Sequence, residues 1–276
     1  MDRGFVVLAQ NNGQNDYIHD AFNLALSLHC TQKNTPRISL ITNNPVPAEY
    51  RILFEHIIPI PYNDSAKYSN WKIQNRWKIY HASPYTRTIV LDADILATKD
   101  LEYLWNDFEK YNICFSTNPL TYRNEVIKNN SYRTWNDKLP DIYSTVHFFK
   151  KSDEAKEYYT WLESVMKNWE VFYKKILGND IPDKCSVDLS SAIVNKLISI
   201  GDEYVYHKPC FVHMKHKVLG INIVNQIKWT QQIPLYLTDN LELYAANYKQ
   251  NHLFHYADSD IISKRITDTY RKYLGV

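Results

Sequence analysis

The chain predicts an α/β fold: a mostly parallel central sheet flanked by helices, with an irregular C-terminal segment closing over one end. Two observations carry that expectation. Short β-branched apolar runs alternate with amphipathic stretches from the first residues onward, a tempo that implies strands joined by right-handed helical crossovers. The run Thr88-Ile89-Val90-Leu91 then stops abruptly at Asp92-Ala93-Asp94, so a buried strand delivers two carboxylates to its C-terminal end, where open α/β sheets gather their ligands.

The elements follow in order. Phe5 to Leu8 is a first strand, and a polar loop from Gln10 to Asn15 leads into a helix over Asp16 to His29, in which Ile18, Phe22, Leu26 and His29 recur at helical spacing. Ile38 to Ile41 reads as a second strand, Pro47 opens a short helix through Leu53 and Phe54, and Ile57 to Ile60 reads as a third strand. A helix over Asn70 to Ala82 precedes the strand that ends in the Asp pair. Beyond it, a helix over Leu101 to Phe108, a strand over Ile113 to Ser116 and a strand over Ile142 to Phe149 are expected. Between those strands Leu120 to Pro140 is polar, with Arg123, Lys128, Arg133 and Lys138 interleaved with Tyr122, Tyr132 and Trp135. It reads equally as an acceptor-facing lid and as a solvated connector. One long amphipathic helix is expected over Glu154 to Lys175 and another over Ser186 to Leu197, with Asp188 in its first turn. The last quarter is irregular until Ile261 to Tyr273. No repeat or Pro/Gly linker marks a boundary, so residues 1–276 are expected to form one domain, with 1–118 as a nucleotide-binding half and 119–276 as the half that closes on metal and acceptor.

Composition narrows the function classes. Thirty-two Lys and Arg against 30 Asp and Glu leave a formal charge of +2, which removes any global electrostatic argument for nucleic acid or an anionic membrane. No run approaches the roughly 18 apolar residues of a membrane span, and Met1 to Gly4 leads straight into a strand, so a soluble, cytoplasmic protein is expected. Cys30, Cys114, Cys185 and Cys210 are widely separated and read as reduced thiols, neither a zinc knuckle nor a disulfide framework. With 22 Tyr and 7 Trp but only 6 Gly, the chain offers flat amphipathic rings and lacks a Gly-rich phosphate loop.

Alternation with period two turns Asp92 and Asp94 to one side, and two converging hard oxygens suit Mn²⁺ or Mg²⁺. Together with the elements around them, these residues resemble the nucleotide-sugar-dependent glycosyltransferases of the Rossmann-like GT-A fold, most closely the family 8 group that includes glycogenin and bacterial galactosyltransferases. The resemblance covers Phe5 to Lys217. In that family an Asp-x-Asp after an apolar strand grips a sugar diphosphate through a divalent metal, which Leu91-Asp92-Ala93-Asp94-Ile95-Leu96 matches. Arg76 stands where the family carries a Lys or Arg opening a helix ahead of that strand. Tyr17, after Asp16, matches an aromatic that stacks on the base, in a loop where Gln10 and Asn11 would also meet the nucleotide. Val212-His213 matches a Val-His that supplies the metal's nitrogen ligand. The family's following Gly and Lys-Pro-Trp are absent; Lys215, His216 and Lys217 come instead, with Lys215 the candidate phosphate ligand. Asp188 matches an Asp placed near the transferred sugar, although Leu189 replaces the Gln that usually follows it, and Tyr143-Ser144-Thr145 replaces the family's Asn-x-Gly. A helix-capping role for Asp188 is the competing reading.

The resemblance implies transfer from a nucleoside-diphosphate sugar, a UDP-sugar above all, to an acceptor hydroxyl with retention of configuration. Asp92, Asp94 and His213 would hold the metal, and Asp188 and Arg76 would act at the reacting centre. Glycan, protein and hydroxylated DNA-base acceptors all remain open. From other classes, a nucleotidyltransferase and an inactive sugar-nucleotide-binding module compete, the first weakened because Leu8 to Asn15 offers only Gly13.

Overall fold

In the computed structural model, residues 3–70, 72–127, 139–178, 185–199, 203–214 and 229–276 are described. The strands in chain order are β1 (Arg3–Leu8), β2 (Ile38–Ile41), β3 (His56–Ile58), β4 (Arg87–Leu91), β5 (Ile95–Leu96), β6 (Ile113–Ser116), β7 (Tyr143–Lys150), β8 (Val205–Tyr206), β9 (Phe211–His213), β10 (Leu235–Leu237), β11 (Leu243–Ala245), β12 (Tyr248–Lys249) and β13 (Leu253–His255). The helices are α1 (Tyr17–Thr31), α2 (Ala48–Arg51), α3 (Ile79–Ala82), α4 (Glu102–Phe108), α5 (Asp153–Lys167), α6 (Trp169–Leu177) and α7 (Val187–Leu197), followed by a short turn at Trp229–Gln232 and a C-terminal helix, Lys264–Leu274.

The central sheet runs β3-β2-β1-β4-β7-β6-β8. β1, β2, β3 and β4 are mutually parallel, whereas β7 lies antiparallel between β4 and β6. β1 and β4 read as unbroken apolar runs because both of their faces are covered. Phe5, Val7, Ile89 and Leu91 enter one core with α1, α4 and the C-terminal helix, while Val6, Leu8 and Val90 enter a second core with α5 and α7. Each such side chain contributes about 1.5–3 kcal/mol by leaving water, so the strand ends that carry the site rest on rigid ground.

Three expectations change. The helix expected over Glu154 to Lys175 is broken at Asn168, which leaves helical geometry at φ −128°; its backbone N–H and its side-chain Nδ2 both turn back onto the Ser164 carbonyl and end α5. The helix expected over Asn70 to Ala82 is instead a 3₁₀ segment, Lys72–Lys78, followed by the single turn α3. Tertiary polar contacts hold that tighter coil: Asn75 donates to Gln10 and Asp64, and Lys78 Nζ donates to the Asn63 carbonyl and the Ser65 hydroxyl. The last quarter is also more regular than its sequence suggests. β5, β13 and β9 form a small sheet, and β10, β11 and β12 form another; runs of two or three residues are too short to display a period. Of the polar stretch Leu120 to Pro140, the described part begins with Leu120 pairing to Val126 and to Val212, while Lys128, Tyr132, Arg133, Trp135 and Lys138 lie outside the described residues.

Where β1 passes the turn that leads into β4, Gly4 has no room for a side chain. A Cβ there would stand 2.4 Å from the Tyr85 ring. That ring is not free to move, because its hydroxyl accepts from Ser39 Oγ and donates to Glu55 Oε2, and the Arg37 guanidinium covers its face. Gly4→Ala should therefore cost about 1–3 kcal/mol, read as a fall of several degrees in melting temperature relative to wild type; an unchanged melting curve would contradict this packing.

Candidate metal and nucleotide-sugar site

The site is built where β4 runs out. Past Leu91 the chain leaves the sheet, and the backbone of the Asp pair is pinned from both sides: Asp92 N–H donates to the Thr145 carbonyl of β7, and the Asp94 carbonyl accepts from Tyr256 N–H just after β13. Ala93, expected among the donor-binding residues, points the other way into the core and is 3% exposed. It is what lets Asp92 and Asp94 face one side.

Each carboxylate has a cationic or polar partner. Arg76 Nη1, from the 3₁₀ segment, lies 2.6 Å from Asp92 Oδ1. Among the described residues, no partner meets strict hydrogen-bond geometry at that buried oxygen, although Arg76 lies close enough to pair with it in charge. Burial opposes Arg76's charge, but Asp92 and Asp94 outweigh it and raise its pKa, with Tyr17 adding to the effect. Asp94 Oδ2 lies 3.3 Å from His255 Nε2. Burial would raise the Asp94 pKa, yet the charge and hydrogen bond of His255, with Arg76 behind them, hold it below the ordinary carboxylate range.

Among the described residues, the donor atoms able to share one ion belong to Asp92, Asp94 and His255, all within 4.8 Å of one another. The residues fit a divalent cation on two counts. The buried Asp92 Oδ1 lacks an aligned partner, and two hard oxygens with one imidazole nitrogen suit Mn²⁺ better than Mg²⁺, which keeps to oxygen and water. His255 occupies the place expected for His213. β13 pairs with β9 in register, His255 beside His213, but β13 is the strand that lies next to β5 and hence next to Asp94. His213 stands one strand further out, with its Nδ1 2.8 Å from His255 Nδ1. Leu253-Phe254-His255 repeats the pattern of Phe211-Val212-His213, two apolar residues and a histidine; only strand order tells the two apart.

The remaining expected residues fall into four groups. Tyr17, half-buried in the first turn of α1, accepts from Asn15 Nδ2 at 3.1 Å; burial raises its pKa against the Asn15 hydrogen bond, with Asp94 adding to the rise and Arg76 opposing it. Gln10 and Asn11 are spent on shaping the loop that carries Tyr17. Gln10 accepts from Asn75 at 2.8 Å and donates to Asp64 at 3.1 Å, while Asn11 donates to Asp16 and accepts from Ile18 N–H. Burial works to raise the Asp64 pKa, but hydrogen bonds from Asn75, Ala66, Gln10 and Asn43 hold it low, so the loop rests on a charged carboxylate. Lys215 lies outside the described residues.

Asp188 does not cap its helix. Ser186 does, its hydroxyl accepting from Leu189 N–H. Asp188 Oδ1 instead accepts from both the backbone N–H and the hydroxyl of Ser144, at 2.8 and 2.7 Å. Ser144 precedes Thr145, whose carbonyl holds Asp92, so α7 brings a third carboxylate to the same strand end. Beneath it His147, pushed down to about 4 by burial, bridges the Ser144 carbonyl and the Tyr159 hydroxyl as a neutral core histidine.

No family model matches the chain, and no curated protein matches it. Solved structures do match its fold. The galactosyltransferase LgtC in complex with donor and acceptor sugar analogues aligns with a TM-score of 0.56 at 13% identity, over 98% of this chain and 95% of that one. An active-site mutant of LgtC gives 0.54 at 12%, over 99% and 95%. Mouse xyloside xylosyltransferase 1 in its apo form gives 0.52 at 12%, over 92% and 97%. The chain therefore has the mixed α/β fold of the GT-A glycosyltransferases, with the Asp pair at the carboxyl ends of its strands. No helix among the described residues is long and apolar enough to cross a membrane.

One buried acid beside the site gives a measurable signature. Asp20, in the first turn of α1, accepts from Tyr256 Oη and Ser259 Oγ at 3.0 and 2.6 Å, tying the segment after His255 to α1. Burial raises its pKa to about 7 despite those bonds, and Asp94 adds to the rise. With the folded value above the unfolded one of 3.8, the folded chain holds a proton that the unfolded chain releases, so stability falls as pH climbs from about 4 to about 7. Asp20→Asn should lose that decline, a difference of up to roughly 4 kcal/mol between the two profiles. Urea unfolding of both proteins at pH 4.5 and 7.5 checks it; parallel profiles would refute it.

Proposed function

We propose that the chain is a glycosyltransferase that moves a sugar from a nucleoside-diphosphate sugar, with UDP the favoured nucleotide, to an acceptor hydroxyl, using a divalent cation held by Asp92, Asp94 and His255. The observation that carries this reading is the meeting of those three donors with Arg76 at the strand ends of a GT-A fold. Glycosyl transfer builds negative charge on the departing diphosphate while the sugar takes on oxocarbenium character. A bound Mn²⁺ supplies Lewis-acid stabilisation of that leaving group.

The chain's own residues do the rest. Arg76 stays protonated and offers donors in a fork that suits phosphate oxygens. Tyr17, anchored by Asn15 on a loop locked by Asn11 and Asp16, presents a ring for the base. Asp188, held by Ser144 one residue from the contact that fixes Asp92, would face the transferred sugar. The division of roles along the chain agrees with this: the 1–118 half supplies Tyr17, Arg76 and the Asp pair, and the 119–276 half supplies Asp188 and His255. The family resemblance favours retention of configuration, and a sugar hydroxyl is the acceptor most in keeping with the fold's neighbours.

A panel of nucleotide sugars assayed for nucleoside-diphosphate release, with Mn²⁺ and with chelator, tests the reading. Release is expected with a UDP-sugar and Mn²⁺, and it should be lost on chelation. Asp94→Asn should lower turnover at least about a hundredfold while keeping the wild-type melting temperature. Donor binding without release under any acceptor would mark an inactive binding module, and sugar 1-phosphate turnover would mark a nucleotidyltransferase.

A further inference from the structure

His213 is 5% exposed, and Phe211 and Tyr143 wall it in edge-on, so its ring has nowhere to turn. It lies beside His255 with centroids 4.8 Å apart and planes 24° from parallel, and the two Nδ1 atoms lie 2.8 Å apart. Two imidazole nitrogens at that distance share one proton: one ring donates and the other accepts. The opposite nitrogen of His255, Nε2, is the one aimed at Asp94.

We propose that His213 is a positioning residue that selects the tautomer of His255. The inference rests on the cation of the proposed function. To ligate, His255 Nε2 must present a lone pair, which leaves the proton of the neutral ring on Nδ1. His213 Nδ1 accepts that proton in a hydrogen bond, and His213 carries its own proton on Nε2. Were the bond reversed, with His213 Nδ1–H donating, neutral His255 would hold its proton on Nε2 and turn an N–H toward the carboxylates and their ion. A histidine that ligates a metal commonly gives its other N–H to a carboxylate or a carbonyl; here a second imidazole fills that post, delivered by the in-register pairing of β9 and β13. Both histidines are thus part of the site, His255 as ligand and His213 as the group that orients it.

The test compares His213→Phe, which keeps the ring's volume and removes the acceptor, with His213→Gln, which keeps an acceptor. Mn²⁺ affinity of the metal-free protein, measured by titration, should fall about ten- to hundredfold in His213→Phe and stay within severalfold of wild type in His213→Gln. Affinity for free nucleoside should be the same in all three. Nitrogen NMR of the wild type loaded with diamagnetic Zn²⁺, which takes imidazole nitrogen readily, gives a check that needs no variant: His255 should carry its proton on Nδ1 and His213 on Nε2. Wild-type Mn²⁺ affinity in a folded His213→Phe, or a proton on His213 Nδ1 in the loaded protein, overturns the inference and leaves the function standing. Absence of Mn²⁺ binding in the wild type overturns the functional reading, and this inference with it.

Discussion

Two carboxylates brought together away from water repel each other, and the fold around the site answers that repulsion. Asp92 is met by Arg76 at 2.6 Å and Asp94 by His255 at 3.3 Å. Neither partner comes from the strand that carries the acids: the arginine arrives on a 3₁₀ segment ahead of β4, and the histidine on a strand near the C-terminus. Without them, burial would drive Asp94 toward its neutral form. The pairing keeps Asp94 charged.

The same demand explains the polar groups packed around the site. Asp20 draws Tyr256 and Ser259 onto α1, and Tyr256 N–H holds the Asp94 carbonyl, so the strand that bears His255 is fastened on both sides of the histidine's neighbour. Asp188 fastens α7 to Ser144, and the adjoining Thr145 fastens Asp92. His147, kept neutral by burial, closes the floor. These contacts hold the candidate site through hydrogen bonds to both backbone and side chains, on a scaffold whose sheet is covered by apolar cores on both faces.

Much of this was legible in the order of residues. A β-branched run ending in two acids, a cation ahead of it, a tyrosine after the first loop and a fold of alternating strands and helices all follow from local chemistry: strand periodicity, the hardness of carboxylate ligands and the rules that bury parallel sheets. Asp188 was visible as a candidate, but its choice between capping a helix and serving the site was not, because Ser186 and Asp188 are both good helix-start residues.

Which histidine stands against Asp94 is settled by folding, not by local order. His213 and His255 each close a three-residue strand of the same type, and nothing local separates them. The order β5-β13-β9 puts His255 on the inner strand and His213 behind it. Likewise the hydrogen bonds of Gln10 to Asn75 and Asp64 could not be read from the sequence, because folding alone brings those partners together. Neighbours along the chain thus fix the sheet and the Asp pair at its strand ends; which side chains meet that pair depends on neighbours across the chain, and strand pairing decides it.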